Sequence, residues 1–426
     1  RGKKEASPLV LWKFQVTTTK IPKKEGGEAN LNVLQNPLFS FEEILSLEPN
    51  ERLQKLFMVL DDLPFHDYQT TIRRGPKGYS SKLMLRTLLA MKIYSIPTVV
   101  LLIERLNSDF KFRYSCGFSL SGRIPSEATF SRFLARLAGN ESLYQLFLSV
   151  VEKGRQLGII DSEILVIDST AIDSYEKKCP KKELNQDGTK ADWGSKKDSN
   201  GNQLTWFGYK LHLAVDPKSE CPVDLKLTPA SVSDGEIALP LIDNLAERGY
   251  LSKYYIMDSG YDWSNIYQTI FEVYKSQAII PLNLRNEKQP PAGLDFDGTP
   301  VCSAGYRMVY WGAGKFRCPH VLGKVDCPFG SNWCSSSNYG HTVKTKVKDD
   351  PRRFSNPHRN SRNWTLLYHK RTAVERVNSR LKNHLGLEIF KVQGIDKVLV
   401  HMLLSNICLV SGTIAVNLKG CRKSVA

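Results

Sequence analysis

Acidic side chains are in short supply in this chain: 43 Asp and Glu stand against 59 Lys and Arg, a formal net charge of +16. A deficit of that size favours a polyanionic partner, either nucleic acid or an anionic membrane surface. The membrane option is weakened by two further absences. No amphipathic anchor is evident, and the longest apolar run, Val398 to Val416, is interrupted by His401, Asn406 and small polar residues. A buried C-terminal helix is therefore expected rather than a membrane span. No signal-peptide pattern opens the sequence, and none of the nine cysteines forms a CxxC pair. Free thiols in a reducing, cytoplasmic setting follow more readily than a disulfide scaffold. There is no internal repeat. The 41% hydrophobic and 24% charged composition excludes collagen-like and wholly disordered chains, and 426 residues are enough for two or three domains around a large core.

Residues 1–36 read as a basic, flexible arm. From 37 to 158 apolar residues recur at three and four spacing, in FSFEEILSL, NERLQKLFMVLDDL, SKLMLRTLLAMKIYS, PTVVLLIERLNSDF and SEATFSRFLARLAG, which predicts an all-helical domain. Ser126 and Gly139 bracket the last of these helices. Arg132 and Arg136 share one of its faces, compatible with a helix offered to DNA and equally with a solvated basic face.

Over 159–282 the pattern changes to short apolar runs between turns and helices, the mark of an α/β domain. ILVI and YYIM are too apolar for strands covered on one side and fit central strands. Each is followed directly by an aspartate, Asp168 and Asp258. Ligand sites in open α/β sheets gather at the carboxyl ends of central strands. Two carboxylates there repel unless a cation lies between them, so a divalent metal is the economical reading. Either one alone could instead start a turn or cap a helix. Asp173, Asp234 and Asp262 are nearby in sequence but rank lower, because none follows a buried apolar run.

Residues 283–363 are irregular and rich in Pro, Gly, Cys and basic side chains, as in an inserted module. Cys302, Cys318, Cys327 and Cys334 cluster there. Four thiolates, or three with His320, could enclose a structural zinc, and unligated thiols are the even alternative. Helical periodicity returns over 364–426. On an α-helix Tyr368, Arg371, Glu375 and Lys382 would fall within an arc of about 60°, with Lys370, Arg376 and Arg380 pointing elsewhere. A carboxylate there could complete a metal site, with a guanidinium and an ammonium holding phosphates on either side. An incidental ion pair between Arg371 and Glu375 is the plainer reading of an isolated helix.

The spacing Y-x2-R-x3-E-x6-K, met in full by Tyr368, Arg371, Glu375 and Lys382, resembles the signature of one branch of the DDE transposases of bacterial insertion sequences. Four fixed residues would match by chance in a chain this long with a probability of roughly 0.003. LVIDSTAIDS, WFGYKLHLAVD, YIMDSGYD and RTAVERVNSRLK follow in the order of that family's catalytic segments. The resemblance implies an α/β, RNase H-like catalytic core, preceded by an all-helical N-terminal domain and interrupted by the Cys-containing insertion before the final catalytic helix.

It also implies that Asp168, Asp258 and Glu375 hold two magnesium or manganese ions, and that Tyr368, Arg371 and Lys382 contact DNA phosphates. The implied partner is double-stranded DNA, as element ends and target, with two copies of the chain in the complex that pairs the ends, at the nucleoid. Some members of the branch stack a flipped base on an aromatic side chain. Trp206, Trp263 and Trp364 sit beside the motifs, but large aromatics more often belong to cores, and none is assigned that role. A nuclease without strand transfer and a catalytically silent DNA-binding protein are the competing functions. They differ in product, since the nuclease leaves only cut ends and the silent protein cuts nothing.

Overall fold

A computed structural model describes residues 51–65, 78–178, 190–197, 201–284, 287–330 and 332–423. The predicted basic arm and the first predicted helix lie outside them. Six helices open the described chain: α1 (Glu51–Leu60), α2 (Ser81–Ile93), α3 (Val99–Ser108), α4 (Phe110–Cys116), α5 (Glu127–Ala138) and α6 (Ser142–Gln156). Their starts are locally encoded. The Thr98 side chain caps α3 by accepting from Leu101 N at 3.2 Å, and Asp109 caps α4 by accepting from Phe112 N at 2.8 Å. In α5, Phe130, Phe133 and Leu137 form the buried stripe that the three and four spacing predicts.

The larger sheet is built from β1 (Ile164–Asp173), β2 (Asp192–Lys197), β3 (Gln203–Asp216), β4 (Cys221–Pro229), β5 (Tyr254–Ile256) and β6 (Gln277–Ile279). Strand β1 pairs antiparallel with β3 and parallel with β5. On the flanks, β3 pairs antiparallel with β4 and β5 pairs parallel with β6. This order, three antiparallel strands continued by two parallel ones, fits the RNase H-like core implied above. ILVI and YYIM do occupy central positions, because β1 has β3 and β5 on its two sides and β5 has β1 and β6. The β1 and β3 backbones come so close near Gly208 that a Cβ there would lie 2.1 Å from the Ile172 carbonyl. Only glycine fits.

Helix α7 (Asp234–Glu247) follows β4, and α8 (Ser264–Glu272) lies between β5 and β6. Residues 283–363 are less irregular than their composition predicts. They contain a three-stranded antiparallel sheet of β7 (Val309–Gly312), β8 (Lys315–Arg317) and β9 (Thr342–Lys344). Met308, Phe316 and Cys318 are buried there, and Tyr310 and Phe316 pack on the buried His358 ring. The segment is tied to the core by ion pairs, Arg352 with Asp262 and Glu287, and Arg353 with Glu287. A small core and these pairs remove the reason for expecting a metal cross-link.

After α9 (Arg362–Tyr368), a 3-10 turn over His369–Arg371 leads into α10 (Thr372–His384), and α11 (Ile395–Lys423) ends the described chain. By length and composition α11 could cross a membrane, but 78% of its apolar window is buried inside the protein. It packs against α1, α2, α5, α6 and β4, so the helices and the sheet share one cluster of buried side chains, from Leu53 to Ala415. His401 and Asn406, which interrupt the apolar run, are buried in that core.

Candidate active site

Asp168 is not at the end of its strand. The parallel pairing of β1 with β5 stops at Val166 opposite Ile256, while β1 continues along β3 to Asp173. Asp168 thus lies just past the point where β5 ends, and Asp258 stands at the exit of β5. Asp258 Oδ1 accepts from Gly260 N at 2.8 Å and caps the 3-10 turn Ser259–Tyr261. The capping role open to an isolated aspartate is therefore real, and it fixes this carboxylate beside Asp168.

Burial and then the charge of Asp258 push the pKa of Asp168 from 3.8 up to about 7, against the opposing pull of the Ser169 N–H and Arg371. Burial also raises Asp258, with Asp234 adding to the rise and Arg371 opposing it. A pair that resists ionisation in this way is a site in want of a cation.

Arg371 supplies one. Its Nη1 lies 3.5 Å from Asp168 Oδ2 and its Nη2 2.5 Å from Glu375 Oε1. The guanidinium bridges a strand aspartate and the helix glutamate. Glu375 sits in the first turn of α10 with its side chain 50% exposed, whereas that of Asp168 is 16% exposed. The signature does not lie on one continuous α-helix, since Tyr368 ends α9 and Arg371 belongs to the 3-10 turn. Tyr368, Arg371 and Glu375 still meet through contacts, while Lys382 is held against β1 and Glu388. The Tyr368 ring lies under Arg371, 5.9 Å from its guanidinium carbon, and stacks on Trp364 at 5.0 Å. Lys382 Nζ donates to the Ala171 carbonyl at 2.9 Å and pairs with Glu388 at 2.6 Å. Arg376 and Arg380 turn away to Glu220.

The lower-ranked aspartates separate clearly. Asp173 is exposed at the end of β1. Asp262 is buried and structural, bound to Arg352, Tyr267 and Asn283 N. Burial opposes its ionisation, but the Arg352 hydrogen bonds outweigh this and hold its pKa below the usual range. Asp234, by contrast, adds its charge to the burial that raises both Asp168 and Asp258. A signal was available: Lys210 and His212 are two polar side chains on one face of an otherwise apolar strand, and both face Asp234.

The tryptophans beside the motifs serve packing. Trp206 lies against Gly194, Trp263 against Gly235, and Trp364 is buried under Tyr368. Cys302, Cys318, Cys327 and Cys334 are free thiols. Among the described residues no three His, Cys, Asp or Glu side chains are arranged as a metal cage, which covers both the cysteine cluster and the acidic site. The acidic site nevertheless fits a hard divalent ion in its donor chemistry. It offers carboxylate oxygens, with the pKa values of Asp168 and Asp258 both raised and an arginine standing where a cation is wanted.

No curated protein matches the chain. The piggyBac transposase, solved by cryo-EM as a synaptic complex with hairpin DNA, aligns over 87% of this chain and 74% of its own at 10% identity, with a TM-score of 0.40. That is too distant to add to the chemistry of the site. The sequence families are decisive: a Transposase domain family matches residues 40–136 and the Transposase DDE domain family matches residues 160–411. With β1, β5, α10 and the acidic site all inside the larger match, the chain belongs to the Transposase DDE domain family and is a DDE transposase.

Proposed function

We propose that this transposase binds the terminal inverted repeats of an insertion sequence, cuts the ends at Asp168, Asp258 and Glu375, and transfers the freed 3′-hydroxyl strands to target DNA. The observation that carries the reading is the convergence of Asp168 and Glu375 on one guanidinium, with Asp258 beside them. Three repelling acids held together by a fold need a cation, and the family supplies the reason. Two magnesium or manganese ions, when bound by these carboxylates, supply Lewis-acid stabilisation to an in-line phosphoryl displacement.

The protein's own groups then have defined tasks. Asp168, kept near neutrality in pKa, gives up its proton readily when a cation arrives. Glu375, half exposed on the first turn of α10, is free to turn from Arg371 toward the aspartates. Arg371, released from the carboxylates, presents its planar fork to a phosphate, with the Tyr368 ring as its platform. Lys382 commits two donors to Ala171 and Glu388 and keeps a third for DNA. The basic surface of the chain draws in the duplex. Two copies of the chain pair the two ends in this reading.

The test is cleavage of DNA carrying the element's own ends. It should require magnesium or manganese and stop in Asp168→Ala, Asp258→Ala and Glu375→Ala while end binding persists. A variant that cuts as well as the wild type removes that residue from the site.

A further inference from the structure

Helix α7 begins at Asp234, and its first turn is pressed onto the turn that carries Asp258. A Cβ on Gly235 would come within 2.6 Å of the Trp263 indole, so only glycine allows this approach. The Ser259–Tyr261 turn packs on the same helix. On its other side Asp234 Oδ1 lies 3.1 Å from Lys210 Nζ and 3.9 Å from His212 Nδ1. These two side chains alternate on one face of β3, opposite Ala171 and Ser169 of β1. Lys210 also donates to the Val232 carbonyl at 2.8 Å, which pins the loop entering α7. Three elements thus converge to place one carboxylate.

His212 is fully buried and bonds Thr228 Oγ1 through Nε2 at 3.0 Å, while its Nδ1 has no hydrogen-bond partner. Asp234 Oδ1 is enclosed with the Lys210 ammonium as its close partner, and the Tyr261 hydroxyl, fully buried, has the Ser169 side chain beside it. Burial drives the Tyr261 pKa well up, and the charges of Asp234, Asp168 and Asp258, in that order, drive it further. A phenol sealed among three carboxylates, with the Ser169 side chain as its hydrogen-bonding neighbour, is an expensive arrangement in a protein interior. A structural N-cap would not need it.

We propose that Asp234 is a fourth carboxylate of the active site, a positioning residue that works with Tyr261 to orient Asp258 and to strengthen the hold of the site on a divalent ion, with Lys210 as its counter-charge. The inference rests on the reading of Asp168 and Asp258 as metal holders. Asp234 adds negative field to the pair, which Arg371 opposes. Tyr261 is the donor that can fix a carboxylate oxygen, or a water carried by the ion, once a cation draws the acids together.

The experiment is titration of the full-length protein with manganese alone, by calorimetry, next to metal-free thermal unfolding. Asp234→Asn and Tyr261→Phe should each lower manganese affinity by about tenfold, the range expected when a supporting contact behind a metal ligand is lost. Asp234→Glu should restore part of it. Asp258→Asn should abolish binding. If Asp234→Asn lowers only the metal-free melting temperature and leaves manganese affinity at the wild-type value, Asp234 is merely the ion-pair partner of Lys210 and the proposal fails. If Asp258→Asn also binds manganese normally, the reading of the aspartate pair fails with it, so the two failures are told apart.

Discussion

Replacing Asp168 by asparagine should make the metal-free protein more stable at pH 8, not less. In the native state burial and Asp258 raise the pKa of Asp168 from 3.8 to about 7. Below the lower value folded and unfolded chains both carry the proton, and Asp168 imposes no penalty. Between the two values the unfolded chain releases the proton while the fold retains it, so the native state loses stability as pH rises. Above about 7 the full penalty applies, on the order of 4 kcal/mol as an upper limit. Asparagine keeps the shape and cannot ionise. Urea unfolding in EDTA from pH 4 to pH 8.5 should show the two proteins close to equal at the acid end, with Asp168→Asn gaining steadily above it by about 2–4 kcal/mol. Adding manganese at pH 8 should reverse the order, because only the wild type recovers its deficit by binding the ion. A variant that is less stable at pH 8, or a difference independent of pH, would refute the claim that Asp168 is a strained carboxyl waiting for a cation.

Arg371→Ala should reduce single-turnover cleavage at least tenfold while changing stability by about 1 kcal/mol or less, since its partner Glu375 is half exposed. Arg371→Lys should remain impaired, because charge without the fork does not reproduce a bidentate contact. A fully active Arg371→Ala protein would mean that the pair is only a helix-surface contact. Asp262→Ala should cost about 3 kcal/mol by leaving the mostly buried Arg352 short of its partner, a loss seen in denaturant unfolding with or without metal. The segment over 283–363 has its own small sheet, buried Phe316 and ion pairs to the core, so a zinc chelator should leave its melting unchanged. Stoichiometric zinc by elemental analysis, with unfolding on chelation, would show that the four cysteines close on a metal after all.

What could be read from the sequence was what periodicity and burial encode directly. ILVI and YYIM fit central strands, and the acids following them were expected at the strands' carboxyl ends, whereas Asp168 lies within β1. Glu375 was singled out through the resemblance that the Y-x2-R-x3-E-x6-K spacing carries. The 3-10 turn at His369–Arg371 was not, because nothing in YHKRTA breaks a helix. The convergence of the signature survives it only through the stacking of Trp364, Tyr368 and Arg371. Strand β2, DWGSKK, has little strand propensity and exists because it pairs along β3 with Trp206 lying over Gly194. Asp234 ranked low for a related reason. The role proposed for it comes from three segments meeting in space, whereas the local pattern around it is that of any acid opening a helix.

The central claim is that one acidic site both cuts and joins DNA. Incubating the wild-type protein with magnesium, a duplex bearing the element's end and a supercoiled target should give strands covalently joined to the target. Glu375→Ala should bind the same duplex and yield neither nicked nor joined product. Cut ends without any joined strand, under conditions where the freed 3′-hydroxyl is intact, would contradict the account and leave a nuclease in its place.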